Sequence, residues 1–321
     1  MTISESNATT SVTDDLINDL LESLDKLFGL HPGFRPVHAK GVMCKGTFVP
    51  SAQARNLTKA PHILRDSVPV VLRFSNFAGV PTVADNDPNA AGPRGFAVRF
   101  NLAEHVHTDI VGHSHNGFPV KTGPAFLEFA RALVASGPDA TKPTPLDSFC
   151  EKHPETKAFL DAPKPIPVSY AKEAYFGVNA VKFTNESGTT KFGRYRILPE
   201  AGTEHLSPEA ARQKTEGFLA DELSQRLSGG PIKMRIMVQL AAAEDVVDDA
   251  TCVWPEDRAE VEFGTITISE IANDLEPELR KIIFDPIPRV DGIEPSADPL
   301  IEVRSQIYLL SGRRRRQHSG A

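Results

Sequence analysis

Three side chains close to residue 310 have a spacing that suits iron chemistry. Arg304, Tyr308 and Arg315 occupy positions i, i+4 and i+11, which lie on one face of a helix. An arginine one turn before a tyrosine favours the phenolate, a hard anionic ligand for ferric iron, and tyrosine is a known axial ligand of haem. Gly312, on the same face, would let a flat ring approach the backbone. A solvated surface helix with a basic run at 313–316 explains the same spacing, so that interpretation also stays open.

A second group of residues has the composition of an acid–base site. Arg35, Val37, His38, Arg73 and Ser75 are predicted to lie on the first two strands. A hydroxyl beside an imidazole fixes the orientation and tautomer of the ring, so Ser75 would make His38 an oriented base. The planar guanidinium groups of Arg35 and Arg73 are suited to carboxylates. A lone histidine is also often a structural residue, and the sequence leaves that alternative open.

Four further histidines offer a competing site. His105 and His107 are two residues apart, as are His113 and His115, which places each pair on one face of a strand. Four imidazoles could bind a transition metal inside a barrel. Hydrogen-bonded or exposed histidines near a strand end explain the pattern equally well.

The elements that must position these residues are short strands with helices between them. Apolar alternation and short apolar runs predict about eight strands. They fall at 37–49, 68–75, 95–100, 107–111, 174–183, 191–198, 232–240 and 260–268. Capping and stop signals predict helices from Thr13 to Gly29, at 122–136, from Ser207 to Gly229 and at about 298–315. We therefore predict an α+β protein, an eight-stranded antiparallel β-barrel with flanking helices, in which 1–12 are disordered, 13–316 form one domain and 317–321 form a tail.

Composition narrows the classes of partner. The chain has 321 residues and a formal net charge of −7, so phosphate backbones would repel it and nucleic acid is not expected as a partner. No apolar run approaches the roughly 20 residues of a membrane helix, and the start MTISESNATTSVTDD lacks the basic and apolar parts of a secretory signal. We therefore expect a cytoplasmic protein without a membrane partner. Cys44, Cys150 and Cys252 are odd in number and far apart, which argues against a disulfide framework or a zinc site.

These residues also occur in an order that resembles the haem catalases, and most closely the short catalase-related peroxidases. FRPVHAKG at 34–41 is similar to the strand that carries the distal histidine of that family, and VLRFSNFAG at 71–79 with PRGFAVRF at 93–100 resembles the next two strands. FDPIPRVDGIEPSADP at 284–299 is similar to the passage before the proximal helix, and RSQIY at 304–308 to its arginine-x-x-x-tyrosine motif. VWPEDRAEVEFGTITI at 253–268 is a weaker match. The resemblance spans, with gaps, about residues 34 to 315.

The resemblance implies roles for the residues that match these motifs. His38 would be the distal base that moves a proton of peroxide, with Ser75 hydrogen-bonded to it. Tyr308 would ligate the iron, and Arg304 would keep the phenol ionised. The implied cofactor is haem b, iron protoporphyrin IX.

The remaining matches would hold the ring of that cofactor. Arg35, Arg73 and Arg315 would bind the propionates. Val37 would pack on the ring, and Phe126 would stack against it, because the stretch DIVGHSHNGFPVKTGPAF aligns without gaps with the family.

Three positions depart from the family pattern. The asparagine that polarises bound peroxide in catalases is replaced by His113, and Asn116 could take its role only if the strand bulges. The acidic residue of the access channel is Gly92 here, and the site of a proximal-side histidine is Gly312. The first two changes affect the handling of peroxide more than the binding of haem.

The expected function is accordingly a haem-dependent peroxidase. It would reduce hydrogen peroxide or organic hydroperoxides with a small organic reductant and show weak catalase activity. One alternative resembles allene oxide synthases, which rearrange fatty-acid hydroperoxides on the same fold. Another is a non-haem, histidine-rich metal-binding barrel or a non-catalytic carrier. A homo-oligomer is compatible with the sequence, which does not determine the oligomeric state.

Overall fold

Antiparallel pairing closes eight strands into a barrel in the computed structural model, which describes residues 12–272, 279 and 281–318. The barrel strands are β1 (Gly41–Pro50), β2 (Val68–Ser75), β3 (Gly95–Ala103), β4 (Val106–His113), β5 (Tyr175–Phe176), β7 (Thr190–Pro199), β8 (Ile232–Leu240) and β9 (Glu260–Ile271). β7 pairs with both β5 and β8, which completes the ring. β6 (Val181–Thr184) and β10 (Ile293–Pro295) extend the sheet beyond the other half of β7.

Aromatic side chains fill the inside of this barrel. Phe48, Phe74, Phe100 and Phe263 are completely buried, and the strands alternate between such residues and outward-facing ones. A register shift between Lys45 and Gly46 bends β1 against β9. The bend requires glycine, because a Cβ at position 46 would lie 2.3 Å from the Thr267 carbonyl oxygen.

Helices cover one side of the barrel and its ends. They are α1 (Asp14–Phe28), α2 (Ala54–Leu57), α3 (Gly123–Val134), α4 (Pro145–Lys152), α5 (Pro154–Asp161), α6 (Pro208–Arg212), α7 (Phe218–Ser228) and α8 (Pro299–His318), with a 3₁₀ turn at Tyr170–Lys172. α1, α3 and α8 pack on one another through Leu20, Leu127 and Ile307. Thr13 and Thr122 cap α1 and α3 through their side chains, as the sequence predicts. No helix in the described part of the chain is long and apolar enough to cross a membrane.

The predicted barrel with flanking helices is confirmed, but several strand ends differ from the prediction and two predicted elements are each divided in two. The first strand begins at Gly41 and not at residue 37, and the predicted strand at 174–183 is two strands, β5 and β6. The predicted helix from Ser207 to Gly229 is two helices, α6 and α7. The Glu216 carbonyl oxygen, between the two helices, accepts hydrogen bonds from the Asp85 amide and the Lys40 ammonium. These tertiary contacts replace the helical hydrogen bond that this carbonyl would otherwise accept.

The predictions for the two ends of the chain can be compared with the structure only in part. α8 continues to His318, into the predicted tail. Residues 1–11 of the predicted disordered segment and residues 319–321 of the tail lie outside the described residues.

A buried histidine inside the barrel makes the stability of the fold sensitive to acid. His62 is 1% exposed, and its ring lies 4.9 Å from that of Phe100 and 5.6 Å from that of Phe263. Its Nδ1 has no hydrogen-bond partner in the described part of the chain. Burial lowers the pKa of His62 from 6.5 to about 3.

We expect His62→Phe to reduce this acid sensitivity. Below about pH 6.5 the unfolded state binds a proton at this histidine that the folded state does not bind. The stability is therefore complete above pH 6.5 and is lost as the pH falls toward 3. In urea unfolding, the fall in the free energy of unfolding between pH 7 and pH 5 should be smaller by about 2 kcal/mol in the variant. The same pH dependence in both proteins would contradict the prediction, and His105→Asn, at a side chain that is 92% exposed, is the control.

Candidate functional site

A cavity of about 580 Å³ lies between the outer face of the barrel and helices α1, α3 and α8. This volume is within the roughly 300–1,000 Å³ of small-molecule sites. Ten of the eleven predicted site residues line it: Arg35, Val37, His38, Arg73, Ser75, His113, Phe126, Arg304, Tyr308 and Arg315. The exception is Asn116. The alternation of β2 to β4 explains the barrel side of the cavity, because Ser75, Gly95 and His113 are neighbours across these strands.

His38 lies just before β1 and not on it, which corrects the predicted placement of Arg35, Val37 and His38 on the first strand. Its φ of 60° interrupts a regular strand, and its amide donates to the Phe77 carbonyl oxygen at 2.7 Å. The hydroxyl oxygen of Ser75 lies 3.1 Å from His38 Nδ1. The ring is therefore oriented by a hydroxyl, as an acid–base catalyst requires.

Gly95 makes room for this pair and was not singled out by the sequence. A Cβ at position 95 would lie 2.4 Å from Ser75 Oγ and 2.7 Å from His38 Nδ1. Glycine in the PRGFAVRF stretch is therefore a requirement of the site. The signal was present in the motif, but only the antiparallel register places Gly95 under the imidazole.

The electrostatic surroundings keep His38 neutral. Burial is the largest cause, and the charges of Arg73 and Arg35 add to it, lowering the pKa of His38 from 6.5 to about 3. A neutral imidazole can accept a proton at any pH near neutrality. The environment therefore supports a base and not a fixed cation.

The structure places His113 in the cavity and Asn116 outside its lining. β4 pairs regularly with β3 up to His113, and its register shift is at the other end of the pair. The pairing continues for one residue beyond His113, since the Ser114 amide donates to the Arg94 carbonyl oxygen at 2.8 Å, and Asn116 lies past it, outside the cavity lining. The bulge that would bring Asn116 into the cavity is absent from this pairing.

The tautomer of His113 follows from its hydrogen bond. Its Nδ1 accepts from the His115 amide at 3.3 Å, so the remaining proton of the neutral ring is on Nε2. Burial, followed by the charge of Arg304, keeps the pKa of His113 well below 6.5. His113 is therefore a neutral donor beside His38.

On the α8 side of the cavity, a chain of polar contacts ends at Tyr308. Arg304 Nε and Nη2 both donate to the Tyr308 phenol oxygen at 3.2 Å. Arg304 Nη1 donates to Asn179 Oδ1, and Asn179 Nδ2 donates to Asp298 Oδ2 at 2.7 Å. The i, i+4 pair expected from the sequence is thus formed, and Arg304 is 5% exposed. Asn179 was missed, because it is 125 residues from Arg304 and no local pattern marks it.

Three arginines meet at one end of the cavity. Arg35 and Arg315 both donate to the Ile282 carbonyl oxygen, at 3.2 and 3.1 Å, and Arg73 donates to the Ala39 carbonyl oxygen at 3.1 Å. Burial and the charge of Arg73 lower the pKa of Arg315 to about 10. No aspartate or glutamate among the described residues lines the cavity. This end is therefore suited to a ligand with more than one carboxylate.

Gly312 does not face the cavity, which corrects its expected role. A Cβ there would lie 2.2 Å from Ile283 Cδ1, so the glycine receives the side chain of Ile283. Ile283, Val37 and Phe126 supply apolar lining instead.

The histidine-rich metal site is not formed. His105 and His107 are at the start of β4, and His113 and His115 are at its other end. In the described residues, no group of three or more His, Cys, Asp or Glu side chains could hold a metal ion.

Comparisons with known proteins agree with this geometry. The family model described as catalase matches residues 19–318. Proteins named catalase-related peroxidase from Mycolicibacterium paratuberculosis and Synechococcus elongatus are 35% and 33% identical over 88% and 95% of this chain, and the matches cover 89% of each relative.

Solved structures show the same fold. A fungal catalase and catalase A from Saccharomyces cerevisiae each superpose with a TM-score of 0.77 at 20% identity over 92% of this chain. The match covers 62% and 64% of those chains, so this chain spans less than two thirds of their length.

We expect Gly95→Ala to displace the His38 ring and destabilise the protein. The added methyl group has no room beside Ser75 and His38, and overpacking of this kind costs about 1–3 kcal/mol in the free energy of unfolding. Urea unfolding measures the cost, and a ¹H–¹³C spectrum of the histidine rings reports the displacement. Gly137→Ala is the matched control, because nothing lies within 4 Å of a Cβ there. An unmoved His38 resonance in Gly95→Ala would contradict the prediction.

Proposed function

This chain belongs to the catalase family, and we propose that it is a haem-dependent peroxidase that reduces hydrogen peroxide or organic hydroperoxides with an organic donor. As an oxidoreductase it acts on peroxide. The observation that carries the proposal is that one cavity brings together the arginine-paired phenol of Tyr308 and the hydroxyl-oriented imidazole of His38.

The residues of the cavity fit a haem. The Tyr308 oxygen would be the iron ligand, held in position by the two hydrogen bonds from Arg304. Arg35, Arg73 and Arg315 would hold the carboxylates of the ring, and Phe126 would contact its face. We propose haem b, a haem held without covalent attachment, because no cysteine is among the described residues that line the cavity and the sequence has no Cys-x-x-Cys-His motif. When bound, this group supplies the redox chemistry of peroxide cleavage.

The chain itself supplies proton transfer and exclusion of water. His38 takes a proton from one peroxide oxygen and delivers it to the other, which leaves as water or an alcohol. Because the pKa of His38 is about 3, the imidazole starts this cycle in the accepting form. Over the full reaction ROOH gains two electrons and two protons to give ROH and water. The donor supplies two electrons and two protons in total for each peroxide reduced and is oxidised in return.

Two variants test the cofactor and the base separately. Tyr308→Phe should lose haem or change the ferric absorption bands, because the phenol oxygen is removed. His38→Ala should keep haem and lower the rate of peroxide cleavage by about 10²–10⁴-fold, the usual contribution of an acid–base group. Absorption spectra and rapid mixing with peroxide measure the two effects. Purified protein without a Soret band would refute the proposal, and a His38→Ala variant that cleaves peroxide at the parent rate would remove His38 from the mechanism.

His113 is expected to limit oxygen release from peroxide. Disproportionation requires a second peroxide to be oriented as the reductant, and His113 offers one bulky Nε2–H donor where catalases offer an amide. One preorganised donor in such a site is worth about 10²–10³-fold in rate. His113→Asn should therefore raise the ratio of oxygen release to donor oxidation. Both rates are measured on the same preparation. An unchanged ratio in His113→Asn would contradict the prediction that His113 limits oxygen release.

A further inference from the structure

Outside the cavity, a buried aspartate joins three segments of the chain that carry the His38 site. Asp85 is 1% exposed, and its Oδ1 accepts from the Asn76 side-chain amide at 2.7 Å and from the Lys40 ammonium at 2.8 Å. Arg94 Nη2 donates to the Asp85 carbonyl oxygen at 2.7 Å. None of these four residues lines the cavity.

The three partners of this aspartate are near neighbours of the site residues along the chain. One directly follows Ser75, one directly precedes Gly95, and the third is two positions after His38. Successive side chains on a strand point to opposite faces. At the end of β2 and the start of β3, Ser75 and Gly95 therefore lie at the cavity, whereas the residue beside each contacts the aspartate.

Main-chain hydrogen bonds connect this cluster with the imidazole. The backbone amide of Asn76 donates to the Lys40 carbonyl oxygen at 3.0 Å, and the His38 amide donates to the next peptide, at the Phe77 carbonyl oxygen. Burial lowers the pKa of His38, and a hydrogen bond from its ring to the Asn76 backbone opposes that fall. The orientation of the peptide at Asn76 therefore acts directly on the imidazole.

Further contacts fix the side chains of the cluster. Asn76 is completely buried, and its Oδ1 accepts from Arg94 Nη1 and from the Tyr170 hydroxyl, the latter at 2.9 Å. The second carboxylate oxygen of Asp85 accepts from the Leu219 amide at 2.9 Å, at the start of α7. In a buried network of this kind, removing one member leaves its partners unpaired, so they must move or lose free energy.

We propose that Asp85, through Lys40 and Asn76, holds His38 in the position from which it exchanges protons. Asp85 is a positioning residue, because it acts through its neighbours and lies outside the cavity. The inference rests on the proposed function, since it concerns the support of the proposed base. A misplacement of about 1 Å in a catalytic group can lower a rate by about 10²-fold.

The test uses two ligands of haem iron that differ in whether they need a base. Near neutral pH hydrogen cyanide is a neutral acid that binds iron as an anion, so a base beside the iron must take its proton. Carbon monoxide binds ferrous iron without a proton. In the holoenzyme, Asp85→Asn should slow cyanide binding by about 10–10²-fold and leave carbon monoxide binding nearly unchanged. His38→Ala gives the rate of cyanide binding without the base.

Asp245→Asn is the matched control. The Asp245 side chain is 5% exposed, pairs with Arg258 at 2.8 Å and accepts from the Ala242 amide at 2.7 Å, but it does not line the cavity. This variant should bind cyanide at the parent rate. Lys40→Met, at a side chain that is 24% exposed, tests the same link by a milder change and should slow cyanide binding less than Asp85→Asn. Adding Lys40→Met to Asp85→Asn should slow it little further, because the two side chains act through one contact.

Crystal structures of the variants supply a measurement that needs neither ligand nor turnover. The distance from Ser75 Oγ to His38 Nδ1, 3.1 Å in the parent, should increase in Asp85→Asn and stay the same in Asp245→Asn. An unmoved imidazole and the parent rate of cyanide binding would overturn the inference and leave the peroxidase proposal standing. Equal slowing of both ligands, or equal slowing of cyanide in Asp245→Asn, would also overturn it. Protein without a Soret band would refute the proposed function, and the crystal structures would still decide the positioning role.

Discussion

The paired hydrogen bonds from Arg304 to the phenol oxygen of Tyr308 depend on polar contacts that connect α8 to the barrel. Both groups are on α8, but the direction of the guanidinium is set by Asn179 between β5 and β6 and, through it, by Asp298. The position of α8 is in turn set against β4. Asp109 on β4 accepts from the Asp285 amide at 2.8 Å, and Asp285 accepts from the Ser305 hydroxyl at 2.8 Å. The barrel and the helix thus share one polar framework, and the phenol has a defined place relative to His38.

Positive charge is concentrated in the cavity, and it lowers the pKa values of the two histidines there. Arg304 contributes to lowering the pKa of both His38 and His113, because its charge disfavours a second cation nearby. Burial acts in the same direction and is the larger cause for both rings. A carboxylate in this space would reverse the tendency by stabilising imidazolium. No acidic residue is among the described residues that line the cavity, so both histidines stay neutral. The same excess of positive charge favours the binding of anionic ligands.

Local sequence signals predicted the features that depend on residues close together in the chain, and few of those that depend on distant contacts. Threonine caps and apolar spacing gave the starts of α1 and α3, because the capping bonds span only three residues. The same reasoning missed the break between α6 and α7, which depends on contacts with Asp85 and Lys40 far away in the chain. The eleven site residues came from side-chain chemistry combined with a family resemblance, and ten of them share the cavity. Asn179 carries no mark in the sequence, because its role arises from a contact between distant segments. The role of Gly95 follows only from strand register, although its motif is visible in the sequence.

Strands β2 to β4 contribute residues to the barrel core from one face and to the cavity from the other face. Phe74, Val98 and Phe100 face the barrel interior and are completely buried. The alternate positions carry Ser75, Gly95 and His113 toward the cavity. Because side chains alternate strictly along a strand, a shift of one residue in register would exchange the two sets and destroy both. The apolar barrel core therefore does more than stabilise the fold, because the burial of one face fixes the register that places the imidazoles on the other.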